Sequence, residues 1–257
     1  MPTAVITGAS VGIGRAFAHL CAREKFDLVL IARSQAQLDS LAAEIRQNTG
    51  RTVLTIAQDL SEPGAGEKVF GEVSRSGMPV EMLINNAGFG TLGRFWETDR
   101  QQQLQMIQLN ITALTDLTRL FLPSFTQQRR GRILNVASTA AFQPGPLMAV
   151  YYASKAYVVS FSQAIHNEAR PYGVTITCLC PGPTKTEFAQ RAGMHATKLF
   201  SSGMSMSAEK VAEIGFRAMK RGKPLVVAGR LNALGAFLTR FAPMRLTAAL
   251  ARRMQET

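Results

Sequence analysis

The chain has 257 residues, 46% of them hydrophobic, which suits one large α/β domain with a substantial core and excludes a disordered or fibrous protein. Its three cysteines, Cys21, Cys178 and Cys180, form no C-x-x-C pair and have no ligand-like histidine beside them. That argues against a disulfide scaffold or a metal site and for reduced thiols in a cytoplasmic protein.

The formal net charge is +12, and +9 of it lies from Lys185 onward, where 13 Lys and Arg stand against four Glu. With no aromatic interleaving and no nucleic-acid motif, that excess reads as a solvated basic face, and no nucleic-acid partner is expected.

Residues Thr3 to Thr7 are a β-rich run that leads at once into a glycine-rich turn, Gly8 to Gly14, and then a helical pattern through Arg23. Strand, turn and helix in this order make a phosphate cradle. Gly8, Gly12 and Gly14, with Ser10 and Ile13 among them, let the backbone approach a pyrophosphate while the first helical N–H groups point at it. With a strand and glycine motif within the first residues, no signal peptide is expected.

The second strand, Leu28 to Ala32, ends at Arg33. In a dinucleotide fold an acid at that place binds the ribose 2′-OH, whereas a cation accommodates a 2′-phosphate. Arg33, with Arg15 as a second cation, therefore favours NADP(H) over NAD(H).

A helix (Gln35 to Gln47) and a strand (Thr52 to Ala57) lead to Asp59, which either accepts from an adenine amino group or is a loop acid. Ser61 is the expected N-cap of the next helix. A fourth strand, Glu81 to Ile84, runs into Asn85-Asn86-Ala87-Gly88, residues suited to close packing on a cofactor, and Phe89 to Trp96 are expected to wall the pocket.

Apolar residues at helical spacing predict one long helix from Arg100 to Gln128. Asn110 in its middle either faces solvent or holds a water and disturbs the helix locally.

A fifth strand, Arg132 to Ala137, brings Ser138 to the end of the sheet, placed to donate to a substrate oxygen. The longest uncharged stretch, Ile133 to Ser154, is too rich in Asn, Ser, Thr, Gln and Pro for a membrane span. Thirteen residues after Ser138 stands Tyr151, with Lys155 four further on, inside a helix from Val150 to Arg170. Positions i and i+4 share one helix face, and an ammonium beside a phenol favours phenolate. The pair therefore predicts a Tyr151 pKa drawn down from its ordinary ~10 to make an acid/base. Tyr152, at i,i+3 from Lys155, is a rival on spacing.

Strand six, Val174 to Cys180, stops at Pro181-Gly182-Pro183, and residues 184–206 read as a lid over an apolar ligand or as a surface loop. A helix (Ala208 to Lys220), a strand (Pro224 to Val227) and a basic tail, residues 229–257, follow. The tail mixes apolar residues with five arginines and is expected to pack within a homo-oligomer, a dimer or tetramer. Peripheral contact with a membrane is the alternative. Alternating strands and helices throughout predict a single α/β domain, residues 1–257. Its expected core is a Rossmann-type doubly wound parallel sheet of about seven strands, order 3-2-1-4-5-6-7, with helices on both faces.

T-G-A-S-V-G-I-G (Thr7 to Gly14), Asp59, N-N-A-G (Asn85 to Gly88), Asn110, Ser138, Y-Y-A-S-K (Tyr151 to Lys155) and P-G-P-T-K-T (Pro181 to Thr186) together resemble the short-chain dehydrogenase/reductase family over residues 3 to about 186. The resemblance implies a Rossmann-type fold and an enzyme moving hydride between a nicotinamide dinucleotide, which the reading of Arg33 makes NADP(H), and a small-molecule carbonyl or alcohol substrate. It selects Tyr151 as general acid/base, with Lys155 lowering its pKa and binding the nicotinamide ribose. Ser138 would hold the substrate oxygen and Asn110 would support a water linked to Lys155. It assigns Gly8, Gly12 and Gly14 to the pyrophosphate, Asp59 to adenine, Asn86 to the adenosine-side ribose and Thr186 to the carboxamide. Thr184 departs from the pattern, which usually has an aliphatic residue there.

The sequence is also similar to bacterial relatives of reductases acting on long acyl or steroid ketones, which implies an apolar substrate. The competing reading is a catalytically silent NADP(H)-binding regulatory or scaffold protein of the same fold.

Overall fold

The computed structural model describes residues 1–193 and 205–256. All five residues of β1 (Thr3–Thr7) are buried, as a central parallel strand covered on both faces requires. Around it lie β2 (Asp27–Ala32), β3 (Val53–Ala57), β4 (Val80–Asn85), β5 (Gly131–Val136) and β6 (Val174–Cys180). Two short strands, β7 (Thr184–Lys185) and β8 (Met206–Ser207), pair only with each other, and β9 (Leu225–Val227) forms the far edge of the main sheet.

That sheet is entirely parallel, in the order β3-β2-β1-β4-β5-β6-β9, which is the expected winding with its seventh strand displaced to ninth place in the chain. The order reverses between β1 and β4, so their C-terminal ends open a crevice where such folds bind ligands.

Side chains along β1 alternate between two cores. Ala4 and Ile6 join the cluster containing Phe17 of α1 (Gly12–Arg23), residues of α2 (Gln35–Thr49), and Phe216 of α8 (Ala208–Lys220). Val5 joins Val69 of α3 (Ala65–Arg75) and Phe121 of α5 (Leu114–Gln127) on the opposite face. Helices thus cover both faces of the sheet.

The segment expected as one helix from Arg100 to Gln128 is instead α4 (Arg100–Ile107), a π-turn over Gln108–Ala113, and α5. The wide turn surrounds Asn110, which is buried, and such single-turn widenings arise where a residue is inserted into the i→i−4 ladder. Ser61 does not cap α3, whose N-cap is Gly64; the Ser61 amide and hydroxyl both donate to Asp59 Oδ1, at 2.9 and 2.7 Å.

Tyr151 and Lys155 lie on α6 (Ala149–Ala169). The region expected as a lid is described in part: β7, the four-residue α7 (Phe188–Arg191) and β8 flank residues 194–204, which lie outside the described residues. The basic tail forms α9 (Arg230–Leu238) and α10 (Met244–Gln255), and α10 folds back onto α6, where Gln255 Nε2 donates to the Tyr152 hydroxyl at 2.6 Å. Among the described residues no helix is long and apolar enough to cross a membrane.

Phe17 is fully buried between the sheet and α8. Phe17→Ala should therefore cost about 3–5 kcal/mol, read as a lower midpoint in denaturant unfolding with an unchanged slope.

Candidate active site

Just ahead of α6, which starts at Ala149, Gly145 admits the Tyr152 ring, since a Cβ on residue 145 would collide with it. From this start Tyr151 and Lys155 fall on one face, and Ser154 Oγ donates to the Tyr151 carbonyl at 2.7 Å. Lys155 is only 5% exposed, and its Nζ donates to the Val136 carbonyl at the end of β5, 2.9 Å away. The ammonium lies 5.8 Å from the centroid of the Tyr151 ring. Ser138, two residues beyond β5, accepts from the Ala140 amide at 3.1 Å and stands across from Tyr151.

Asn110 is a clamp. Its Oδ1 accepts from the Phe89 amide at 3.1 Å, and its Nδ2 donates to the Phe89 carbonyl and to Ser154 Oγ, both at 3.0 Å. It therefore ties the loop after β4 to α6 and does not face solvent. Gly88 makes this approach feasible, because a Cβ there would lie 2.9 Å from Asn110 Oδ1 and 3.4 Å from Lys155 Nζ.

Burial governs both ionisable groups. It pushes the Tyr151 phenol up to about 12, with a hydrogen bond from the Ser138 side chain pulling the other way. It also pushes the Lys155 ammonium down to about 8, opposed by Cys178 and Cys180. Burial therefore outweighs the expected lowering of Tyr151 in this state, in which the Lys155 ammonium donates to the Val136 carbonyl.

The glycine turn faces this group across the crevice. Gly8 and Gly12 have φ of 63° and 56°, and a Cβ on Gly12 would lie 3.1 Å from Thr186 Cγ2, so the turn and the segment after β6 meet there. Gly14 supports the turn from inside α1, against the Gly8 carbonyl and the Asn86 amide. Asn86 Nδ2 donates to the carbonyls of Thr7 and Gly8, at 3.0 and 3.1 Å, fixing the turn to β4.

One cavity of about 1330 Å³ connects these parts. Gly8, Ser10, Gly12, Ile13, Asn86 and Thr186 line it between a polar end, with Arg33 and Asp59, and a reactive end, with Ser138, Tyr151 and Lys155. Arg33 is largely exposed, its Nη1 4.0 Å from Asp59 Oδ2. Arg15 stands outside the lining, with its Nη2 2.6 Å from Glu44 Oε2. Of the stretch from Phe89 to Trp96, Phe89 and Gly90 line the cavity, while Phe95 and Trp96 are exposed.

Three features escaped the sequence reading. Thr7 Oγ1 accepts from the amides of Asn86 and Ala87, each at 3.0 Å. A buried ladder runs from Asn85 to Asn135 (2.9 Å) and from Asn135 to Ser162 (2.9 Å), locking β4, β5 and α6; asparagines inside strands were the available signal. The tail supplies an apolar wall through Leu238, Leu246, Leu250 and Met254. Among the described residues no group of three or more His, Cys, Asp or Glu side chains is placed to hold a metal.

The family model described as short chain dehydrogenase matches residues 2–197. The chain is 37% identical over 180 residues to a very-long-chain 3-oxoacyl-CoA reductase of Phaeosphaeria nodorum, a match covering 68% of this chain and 53% of that protein. It is 34% identical over 200 residues to 17-beta-hydroxysteroid dehydrogenase type 3 of Mus musculus, covering 76% and 64%. The chain thus spans between half and two thirds of the length of these relatives.

Among solved structures, a short-chain dehydrogenase from Sphingobium yanoikuyae in complex with NADPH superposes with a TM-score of 0.83 at 33% identity, covering 94% of this chain and 95% of that one. A bulky-bulky ketone specific alcohol dehydrogenase from Comamonas testosteroni gives 0.79 at 28% identity, covering 94% and 93%.

A buried cation with a lowered pKa penalises the folded state while it stays protonated. Below about pH 8 the Lys155 penalty is fully present, and it lifts as pH rises from there towards 10.5, because the unfolded lysine still binds its proton. The stability difference between Lys155→Met and the parent should therefore shift in the parent's favour across that interval, as measured by denaturant unfolding at several pH values.

Proposed function

The chain belongs to the short-chain dehydrogenase family, and on that footing we propose that it is an NADP(H)-dependent oxidoreductase acting on an apolar ketone or the matching alcohol. The observation that carries this reading is the continuous cavity of about 1330 Å³ from Arg33 to Tyr151. A site for one small ligand takes about 300–1,000 Å³, so this volume suits a dinucleotide and a substrate together.

The donor set fits the cofactor. Gly8, Ser10, Gly12 and Ile13 present backbone at the start of α1 to a pyrophosphate, and a Cβ on Gly12 would crowd Thr186. Arg33, exposed and beside Asp59, takes the 2′-phosphate, while Asp59 takes the adenine. Arg15 would join only by leaving Glu44. Asn86 serves the adenosine side, and Thr186 and Lys155 serve the nicotinamide side. The NADPH complex of the Sphingobium relative supports the choice of dinucleotide.

When bound, the dinucleotide supplies the hydride in reduction and accepts it in oxidation. In reduction Ser138 Oγ holds the substrate oxygen, and the Tyr151 hydroxyl, kept protonated by burial, gives that oxygen its proton. Lys155, still charged below about pH 8, stabilises the phenolate left behind. Asn110 keeps the Phe89 loop and α6 in register around them. The apolar half of the cavity, with Phe89, Met148, Phe188, Leu246, Leu250 and Met254, favours a bulky hydrocarbon on the carbonyl. The names of the relatives point the same way.

Tyr151→Phe should lower NADPH consumption with a bulky ketone by about 10²–10⁴-fold, with NADPH binding by fluorescence unchanged. Retained turnover would remove Tyr151 from the acid role. Arg33→Ala should weaken NADPH by about ten- to a hundredfold, the worth of a charged hydrogen bond, and leave NADH little affected in steady-state kinetics.

A further inference from the structure

Nine of the sixteen exposed large apolar side chains among the described residues fall between Leu231 and Met254, about a tenth of the chain. Helix α9 buries none of its residues, and Phe241, in the turn to α10, and Met244, the first residue of α10, are 73% and 75% exposed. A patch of this kind on a globular protein marks a contact surface. Its charge is equally one-sided. Arg230, Arg240, Arg245, Arg252 and Arg253 are all exposed, and the one acid among the described residues of the tail is Glu256, which pairs with Arg252 at 2.7 Å.

We propose that α9 and α10 dock this protein on an anionic lipid surface, with Leu234, Phe237, Phe241 and Met244 entering the interface and the arginines meeting the headgroups. Apolar side chains flanked by arginine on a surface-lying helical pair are the composition that such docking needs. Charge selects lipid over a second copy, because a two-fold contact through this face would set arginine against arginine.

Leu231 and Leu250 add a geometric reason, since both are more than half exposed and also line the cavity. The mouth of the cavity therefore opens within the patch, so a docked protein would draw an apolar ligand from the lipid phase. This docking stands on the surface itself and holds whether or not the proposed reaction is correct.

The test is sedimentation of the full chain with phosphatidylcholine vesicles and with vesicles containing about one-third phosphatidylglycerol, at low and high salt. The expected result is pelleting with the anionic vesicles that weakens with salt. It should fall about tenfold in the double variant Phe241→Asp, Met244→Asp, and again in Arg240→Glu, Arg245→Glu. These side chains are exposed and do not line the cavity, and circular dichroism melting checks that each variant stays folded. Two results would overturn the proposal. One is no pelleting at low salt; the other is a dimer in analytical ultracentrifugation that the Phe241, Met244 variant dissolves.

Discussion

A lysine ammonium taken almost entirely out of water must find an acceptor, and Lys155 finds the carbonyl of Val136 at the end of β5. This bond, more than any other, sets the geometry of the crevice. It holds α6 against the sheet at the level where β5 ends, which puts Tyr151 opposite Ser138. The Asn85, Asn135 and Ser162 ladder supports the same junction from below, and Asn110 supports it from the side through Ser154 and Phe89. Each member leaves a buried polar group unpaired if it is removed, so the junction behaves as one network.

Two effects compete at Tyr151, and their sizes decide its state. Proximity of a cation favours phenolate, whereas burial favours the neutral phenol. With the ammonium directed to Val136 and 5.8 Å from the ring centroid, burial prevails and the hydroxyl keeps its proton. The same burial weakens the hold of Lys155 on its own proton. A neutral phenol beside a cation near its titration point is suited to giving a proton to a carbonyl oxygen, the direction in which the proposed reduction runs.

The tail joins two kinds of environment in one structure. One side of α9 and α10 closes the apolar end of the cavity and is tied to α6 by Gln255 and Tyr152. The other carries exposed leucine, phenylalanine and methionine among arginines. The cavity therefore has its polar end at Arg33 and Asp59 in open solvent and its apolar end at the surface patch. That polarity orders the two ligands proposed for it.

Local sequence determined a good deal by itself. Continuous apolar runs separated by helical periodicity specify a parallel sheet with helices on both faces, and the order of its strands follows from chirality rules that need no side-chain detail. Glycine spacing after β1 and the Tyr151 to Lys155 interval were equally legible, because each depends on residues within one turn or one helix. Tertiary structure decided what depends on contacts distant along the chain. It widened the helix at Asn110, whose partners are Phe89 and Ser154, turned Lys155 towards Val136, and buried Tyr151, which reversed the expected shift of its phenol. It also paired Arg15 with Glu44 and folded the tail over the cavity. Periodicity and spacing report which face a residue occupies, whereas the polar partner it finds there depends on desolvation, and desolvation exists only once the layers have packed.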